Sequence, residues 1–448
     1  MITRKKFIMD VAEKCRDDKL ALFLGAGMSI DAGFPSWKSL FEPLASTLGI
    51  NIDSSKFQLY DIAQFYANEE GMGELELKIK AQINRIDDES DALDELTNMQ
   101  CNSVWTTNFD HAIENNYRRK GKIPNVIISE QNLINSDLNK YINIFKMNGD
   151  INDLNNATVT RKDLESYDET HSVLLSFFKR ELVVKTFLFI GYSFTDSLVL
   201  PCIADLNRIF GDKQSYHYNI VKKEDTPGFE NFIRDLEDRY KIRTLLIDEY
   251  DEIPGILREI NYITNKHNVF ISGSYNDNDP QKLLEISNFC ETLTNKLYQE
   301  QYRIINGYGF KVGYYIASAA TKIMLEQNVT SFEKYLLMYP FSEHLTDKKK
   351  TVHREFMINK SNVAIFMYGN SNSNGMIEEF YIAQKDPRKI IIPIGSSGGA
   401  AKIIFDQVRT NLTNYPYLEN YIEILEKETD PEKLTGTILS IIKEALSN

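Results

Sequence analysis

The sequence predicts an α/β protein made of two successive, mostly parallel sheets. Three observations carry that expectation. Short apolar runs alternate with helix-spaced stretches through both halves of the chain, and such alternation builds parallel sheets covered by helices on both faces. Several runs end in glycine-containing or polar loops, the place where open parallel sheets bind ligands. Finally, 448 residues exceed one ordinary core, while 42% hydrophobic and 26% charged residues are ordinary for a globular protein.

Residues 4–18 are amphipathic and read as a helix. Leu20–Leu24 reads as a strand, and 36–48 and 58–67 carry helical spacing. "SVWTTNFD" (103–110), "YINIFKMNGD" (141–150) and "TFLFIGYSFTD" (186–196) read as strands ending in polar loops, with "YHYNIVKK" and "RTLLIDEY" as further strands. The segment "DEIPGILREINYITNKH" (251–267) reads as a link, giving domains of 1–260 and 261–448. The second series runs from "NVFISGSY" (268–275) through a helix to Gln299, then "YRIINGYG", the helix "VGYYIASAATKIMLEQ" and "YLLMYPF". A charged helix (347–360), "NVAIFMYG" (362–369), a helix from about Gly375 and "KIIIPIGSSGG" (389–399) complete it.

Composition narrows the function classes. A net charge of −13 leaves no basic excess to neutralise phosphates, so nucleic acid is not an expected partner. Cys15, Cys101, Cys202 and Cys290 lie far apart without a C-x-x-C pair, which argues against a cysteine-rich zinc site and a disulfide framework. The first residues lack the apolar stretch of a secretory signal, and the most apolar segments are too short or interrupted to span a bilayer. A cytoplasmic protein with no membrane partner is the expectation.

The chemistry begins in "LALFLGAGMSIDAGFPSW" (20–37), where a strand runs into Gly25-Ala26-Gly27, followed by Ser29, Asp31 and Gly33. Such glycines let a backbone approach a diphosphate, and helix N-terminal amides favour its charge. The spacing departs from G-x-G-x-x-G and no Gly-Lys-Ser/Thr follows, so a P-loop ATPase is not expected. A tight turn with no ligand stays open at this point. In "TTNFDHAIE", Thr107, Asn108 and Asp110 occupy a strand-to-helix turn. Asn108 can bond a ribose hydroxyl or orient water there; helix capping is the simpler task for Asn and Asp. "GYSFTD" places Gly191, Ser193 and Asp196 in the same kind of position, and "KMNGD" puts Asn148 at a strand end. His111 reads as structural, and Asp150 as a brace for its loop.

The order of these four motifs resembles the sirtuin family over roughly residues 1–260. That family's pattern is a GAG-x-S-x-x-x-G-x-P loop, a T-x-N-x-D loop, a His-Gly pair and a later Gly-Ser strand end. The resemblance implies a Rossmann-type sheet that binds NAD and breaks the nicotinamide–ribose bond. Gly25, Ala26, Gly27, Ser29, Asp31 and Gly33 would line the NAD site. So would Pro35, Trp37, Thr107, Gly191, Ser193 and Asp196. Asn108 would place ribose or water, and Asp110 would organise its loop. Three departures matter. The family's zinc-ribbon cysteines are absent, which disfavours acyl-lysine substrates. Ser36-Trp37 replaces the usual Phe-Arg. Asn148 stands at the family's His position, and an amide cannot take a proton near neutral pH. The chain is therefore expected to bind NAD and to turn it over slowly or not at all.

In the second half, "VFISGSY" ends a strand in Gly273-Ser274, and "GNSNSNGMIEEF" runs from Gly369 into a helix at Gly375 with Glu378-Glu379. This resembles the Rossmann-like SLOG/LOG nucleotide-ligand families, with Asn-rich sequence in place of their Pro-Gly-Gly. The resemblance implies that Gly273, Ser274, Gly369, Gly375, Glu378 and Glu379 hold a nucleotide, with Arg354 and Lys360 towards its phosphates. An acidic first helical turn and a solvated helix face are the plain alternatives. The missing Pro-Gly-Gly also disfavours a phosphoribohydrolase.

A sirtuin-like half joined to a SLOG-like half resembles the effector family of the bacterial Thoeris antiphage system. That resemblance implies an NAD hydrolase activated by a cyclic ADP-ribose isomer, which a TIR-domain enzyme supplies. It also implies a homo-oligomer, a tetramer or larger, with NAD as substrate and no cofactor or zinc. The other reading is a non-enzymatic nucleotide sensor that switches assembly.

Overall fold

A computed structural model describes residues 2–83, 89–138, 142–194, 198–329, 332–342, 344–370 and 374–447. They divide into two compact units, Met1–Thr264 and Asn265–Asn448. The fold is α/β throughout.

The first unit is a sheet of seven parallel strands in the order β3-β4-β2-β1-β5-β6-β7. These are β1 (Leu20–Leu24), β2 (Ser103–Thr106), β3 (Pro124–Ile127), β4 (Ile142–Lys146), β5 (Thr186–Ile190), β6 (His217–Lys222) and β7 (Ile242–Ile247). The central strands are continuous apolar runs because helices cover both faces. Along β1, Leu20, Leu22 and Leu24 enter a core with Phe7, Val11, Phe41 and Ile256. Ala21 and Phe23 point the other way, to Trp105, Phe145, Phe178 and Phe189. The chain leaves β1 in one direction and returns to β5 on its other side, so the order reverses between β1 and β5.

Register brings the motif loops together. Leu24 is opposite both Thr106 and Ile190, and Thr106 is opposite Lys146. Ile190, Leu24, Thr106 and Lys146 thus form one rung, and Gly191, Gly25, Thr107 and Met147 leave it side by side. Between β1 and β2 the chain makes a helical excursion. Ser36 caps helix Trp37–Thr47 by accepting from the Ser39 amide at 3.1 Å. A capping box of Gln58 and Asp61 opens helix Leu59–Glu70. Asp61 also pairs with Arg161 at 2.6 Å, tying this helix to the segment after β4.

Two expectations change. The 251–267 segment is not a link. Helix Glu252–Thr264 buries Ile253, Ile256, Leu257 and Ile260 in the first unit's core, and Glu252 pairs with Arg4 at 2.9 Å. The edge strand β3 has no counterpart in the sequence reading; only Ile127 of its residues is fully buried, so its apolar signal is faint.

The second unit is a five-stranded parallel sheet, β10-β9-β8-β11-β12, around one core. Its strands are β8 (Asn268–Ser274), β9 (Arg303–Asn306), β10 (Leu336–Met338), β11 (Val363–Tyr368) and β12 (Ile390–Pro393). Here the order reverses between β8 and β11, with Gly273 opposite Met367 and Ser274 opposite Tyr368. Among the described residues no helix is long and apolar enough to cross a membrane.

Candidate active site

The reversal between β1 and β5 is closed by glycines. The Gly25 amide donates to the Ile190 carbonyl at 2.9 Å, and the Gly27 amide to that of Gly191 at 3.0 Å. A Cβ on Gly25 would lie 2.2 Å from the Gly191 oxygen, and Gly191 itself has φ +65°. The Met28 and Ser29 amides donate to the carbonyls of Gly25 and Ala26. The amides of Gly25, Gly27, Met28 and Ser29 are engaged within the protein, and the glycines serve the close seam between two strand ends.

Polar side chains gather beside that seam. Asn108 Nδ2 donates to Ser29 Oγ at 3.2 Å, and Ser29 Oγ donates to Asp110 Oδ1 at 3.1 Å. The Ala112 amide also donates to Asp110 Oδ1, at 3.0 Å. Burial pushes the Asp110 carboxyl above its ordinary value, against the Ala112 amide, Lys146 and Ser29. From the next strand end but one, Asn148 Nδ2 donates to the Tyr60 hydroxyl at 3.0 Å. Trp37 lies against both Tyr60 and Phe109, with ring centroids 5.8 and 5.2 Å away. The amide oxygens of Asn108 and Asn148 are both buried and have no hydrogen-bond partner. Buried acceptors of this kind are costly unless something donates to them.

Behind the asparagines sits a buried ion cluster. Lys146 Nζ lies 2.7 Å from Asp150 Oδ2 and 3.0 Å from Glu114 Oε1, and Asp150 also meets His111 Nε2 at 2.9 Å. Burial opposes the Lys146 charge, but Glu114, Asp150 and Asp110 outweigh it and raise its pKa. Burial likewise opposes the Asp150 charge, yet His111 and Lys146 hold its carboxyl well below the usual range. The ligand atoms of His111, Glu114 and Asp150 lie within 4.8 Å of one another, as for a metal ion. The Lys146 ammonium already stands among them as the cation. A cavity of about 460 Å³ opens beside this cluster, lined by His111, Glu114, Arg118, Val126, Ile128, Asn132, Asp150 and Asn152.

In the second unit, Arg354 pairs with Glu378 at 2.8 Å and approaches Glu379 Oε1 at 3.6 Å. Its guanidinium lies against Gly375, where a Cβ would meet Nη2 at 2.8 Å. Glu379 is buried and accepts from Ser272 Oγ at 2.6 Å; burial pushes its carboxyl up to about 7. Thr351, which bonds Glu378, joins it in lining a cavity of about 430 Å³ beside helix Asn374–Gln384. The Gly369 amide donates to the Ser274 carbonyl at 2.8 Å, closing the seam between β8 and β11.

Comparison with known proteins now adds to the geometry. Residues 252–445 match the Sir2- and TIR-associating SLOG family, and residues 102–245 match the SIR2-like domain. The second match takes in Asn108, Asn148 and Gly191 but begins after the glycine loop. The NAD(+) hydrolase ThsA of Enterococcus faecium is 30% identical, with 98% of each chain covered. That of Acinetobacter baumannii is 29% identical over 98% of each chain. The Bacillus cereus (strain MSX-D12) protein is 27% identical over 99% of this chain and 98% of its own. The chain belongs to the ThsA family.

Within this ThsA-family chain, the structure gathers Gly25, Gly27, Ser29, Thr107, Asn108, Asp110, Asn148 and Gly191 at one set of strand ends, with Trp37 beside them. Asp31 and Ser193 are exposed, and Asp196 lies outside the described residues. Arg354 does not sit on a solvated face but against Gly375 and the two glutamates. Lys360 is a correction. It precedes β11, at the end of the sheet where the strands begin and Gly369 does not lie, and its carbonyl accepts from Asn268 Nδ2 at the start of β8. It cannot share a site with the strand-end glycines. Tyr60, Glu114 and Lys146 were not among the expected site residues. Only Lys146 left a signal, four residues before Asp150 in the same motif.

Proposed function

We propose that this chain is an NAD hydrolase that releases nicotinamide and ADP-ribose, and that the second unit governs it. The observation that carries the reading is the pair of buried, unpartnered amide oxygens on Asn108 and Asn148. They are acceptors suited to the hydroxyls of a ribose laid across the strand ends. The glycine seam lies at the same strand ends, and Trp37 packs there on Tyr60 and Phe109.

Hydrolysis breaks the bond between nicotinamide nitrogen and the ribose anomeric carbon, while water supplies the new bond and loses a proton. Positive charge develops on the ribose as nicotinamide leaves, and buried amide oxygens fixed nearby favour that charge. Asn108, held by Ser29, would place the ribose or the water, with Asp110 bracing Ser29. Asn148 can bond a hydroxyl but cannot take the proton, so this chain turns NAD over slowly. No zinc and no cofactor beyond the substrate enters the scheme.

The curated relatives are named NAD(+) hydrolase ThsA, and the second unit's family is described as associating with TIR domains. Those descriptions support, and the resemblance to the antiphage effectors implies, our further proposal that the second unit binds a cyclic ADP-ribose isomer made by a TIR-domain enzyme. Gly273, Ser274, Gly369, Gly375, Arg354, Glu378 and Glu379 are its contacts in this reading. Activation then requires that the isomer bind the active assembly, a tetramer or larger, better than the resting one. The setting is antiphage defence by NAD depletion in the cytoplasm. Asn148 favours a second reading, a nucleotide sensor without chemistry. Nicotinamide release from NAD, measured with and without the isomer, separates them. Slow release that rises with the isomer and vanishes in Asn108→Ala is expected. NAD binding without any release would establish the sensor.

A further inference from the structure

We infer that Lys146 is a positioning residue: it clamps the Asn108 loop to the Asn148 turn and so sets how the two amide oxygens face the ligand. This rests on the reading of those oxygens as the NAD ribose site.

Lys146 is fully buried, with a side-chain exposure of 0%. Moving an ammonium out of water is costly, and such a group persists only when paired and fully bonded. An ammonium has three N–H donors. Lys146 Nζ donates to the Phe109 carbonyl at 3.0 Å, the Asp110 carbonyl at 2.6 Å and Asp150 Oδ2 at 2.7 Å. All three donors are thereby used, which accounts for Glu114 meeting the same nitrogen as an ion pair while its oxygens accept no hydrogen bond.

The partners of Lys146 set it apart from a simple counter-charge. A lysine that only balanced charge would need Glu114 and Asp150 alone. This one spends two donors on main-chain carbonyls of the residues directly after Asn108. Its third goes to Asp150, two residues beyond Asn148, which in turn accepts from the Asn152 amide at 2.9 Å. The Phe109 carbonyl also accepts from the Ile151 amide at 3.1 Å, so the two loops meet around the same nitrogen. Lys146 is the last residue of β4, in register with Thr106, whose hydroxyl accepts from the Asn108 amide at 3.0 Å. The clamp therefore joins a rigid strand end to both loops, and its own side chain touches neither amide oxygen.

Calorimetric titration of NAD into the full chain tests this, because it reads affinity and the number of working sites separately. Lys146→Met is expected to weaken NAD binding about ten-fold at an unchanged number of sites, as when a hydrogen-bonding group is displaced. That variant leaves the buried Glu114 carboxylate without its ion-pair partner and can fail to fold, so Lys146→Met with Glu114→Gln is measured alongside and carries the test if it does. Fewer sites with unaltered affinity would make Lys146 merely structural and overturn the inference, as would no change in either quantity. If the unaltered chain bound no NAD, the reading of the site would fail first, and this inference with it.

Discussion

In the proposed NAD site, two buried amide oxygens are the acceptors that would meet the ribose. Asn108 is fixed by Ser29 and by Thr106, and Asn148 by Tyr60, so each presents its remaining oxygen without a partner. Replacing Asn108 by Ala removes one acceptor and the bond to Ser29. NAD affinity measured by calorimetry should fall about ten-fold, roughly 1.4 kcal/mol; an unchanged affinity would place the ribose elsewhere. Glu379 offers a residue-scale test in the second unit. Burial holds its carboxyl near 7, above the ordinary 4.5, with Ser272 and Arg354 opposing. Its neutral form favours the fold, so its contribution is complete below pH 4.5 and lost as pH rises to about 7, on the order of 3 kcal/mol. Thermal unfolding of Glu379→Gln should therefore lose less stability than the unaltered chain across that window. Parallel slopes would contradict the assignment. Asn108, Asn148 and Glu379 were legible in the sequence because each stands in a short strand-to-helix string. Tyr60 was not, because nothing local marks a tyrosine 88 residues from its partner Asn148. Lys360 misled for the converse reason: basic residues near a glycine motif in sequence can lie at the opposite end of the strands.

At the scale of elements, the glycine loop is a seam between β1 and β5 before it is anything else. Gly25→Ala would drive a Cβ into the Gly191 carbonyl. Overpacking of this sort costs about 1–3 kcal/mol, so a lower thermal midpoint together with weaker NAD binding is expected. An alanine variant with native stability would mean the seam is looser than the close approach requires. The buried central strands were plain in the sequence, since "LALFL" and "TFLFI" are apolar on both faces. The amides of the loop were not. A string containing Gly-Ala-Gly promises free donors, but whether they are free depends on which strand end lies alongside, here that of β5. Helix Glu252–Thr264 was missed for a related reason. Its Pro254 and Gly255 suggest a break, whereas its isoleucines pack into the first unit.

At the scale of the molecule, each unit is a parallel sheet whose strand order reverses once, and in both the glycine motifs stand at that reversal. Membership of the ThsA family joins a SIR2-like half to a SLOG half, and the proposed control runs from the second to the first. Substituting Glu378 by Ala should abolish the response of nicotinamide release to the cyclic ADP-ribose isomer while NAD affinity stays as it was; a retained response would remove that pocket from the scheme. The central claim is that the chain holds NAD at Asn108 and Asn148 and lacks only a proton acceptor. Nicotinamide release by Asn148→His, compared with the unaltered chain at saturating NAD and isomer, tests it most directly. A base of this kind contributes about 10²–10⁴-fold, so a rise of at least about a hundred-fold is predicted. Equal rates in the two proteins, whether both fast or both nil, would contradict it.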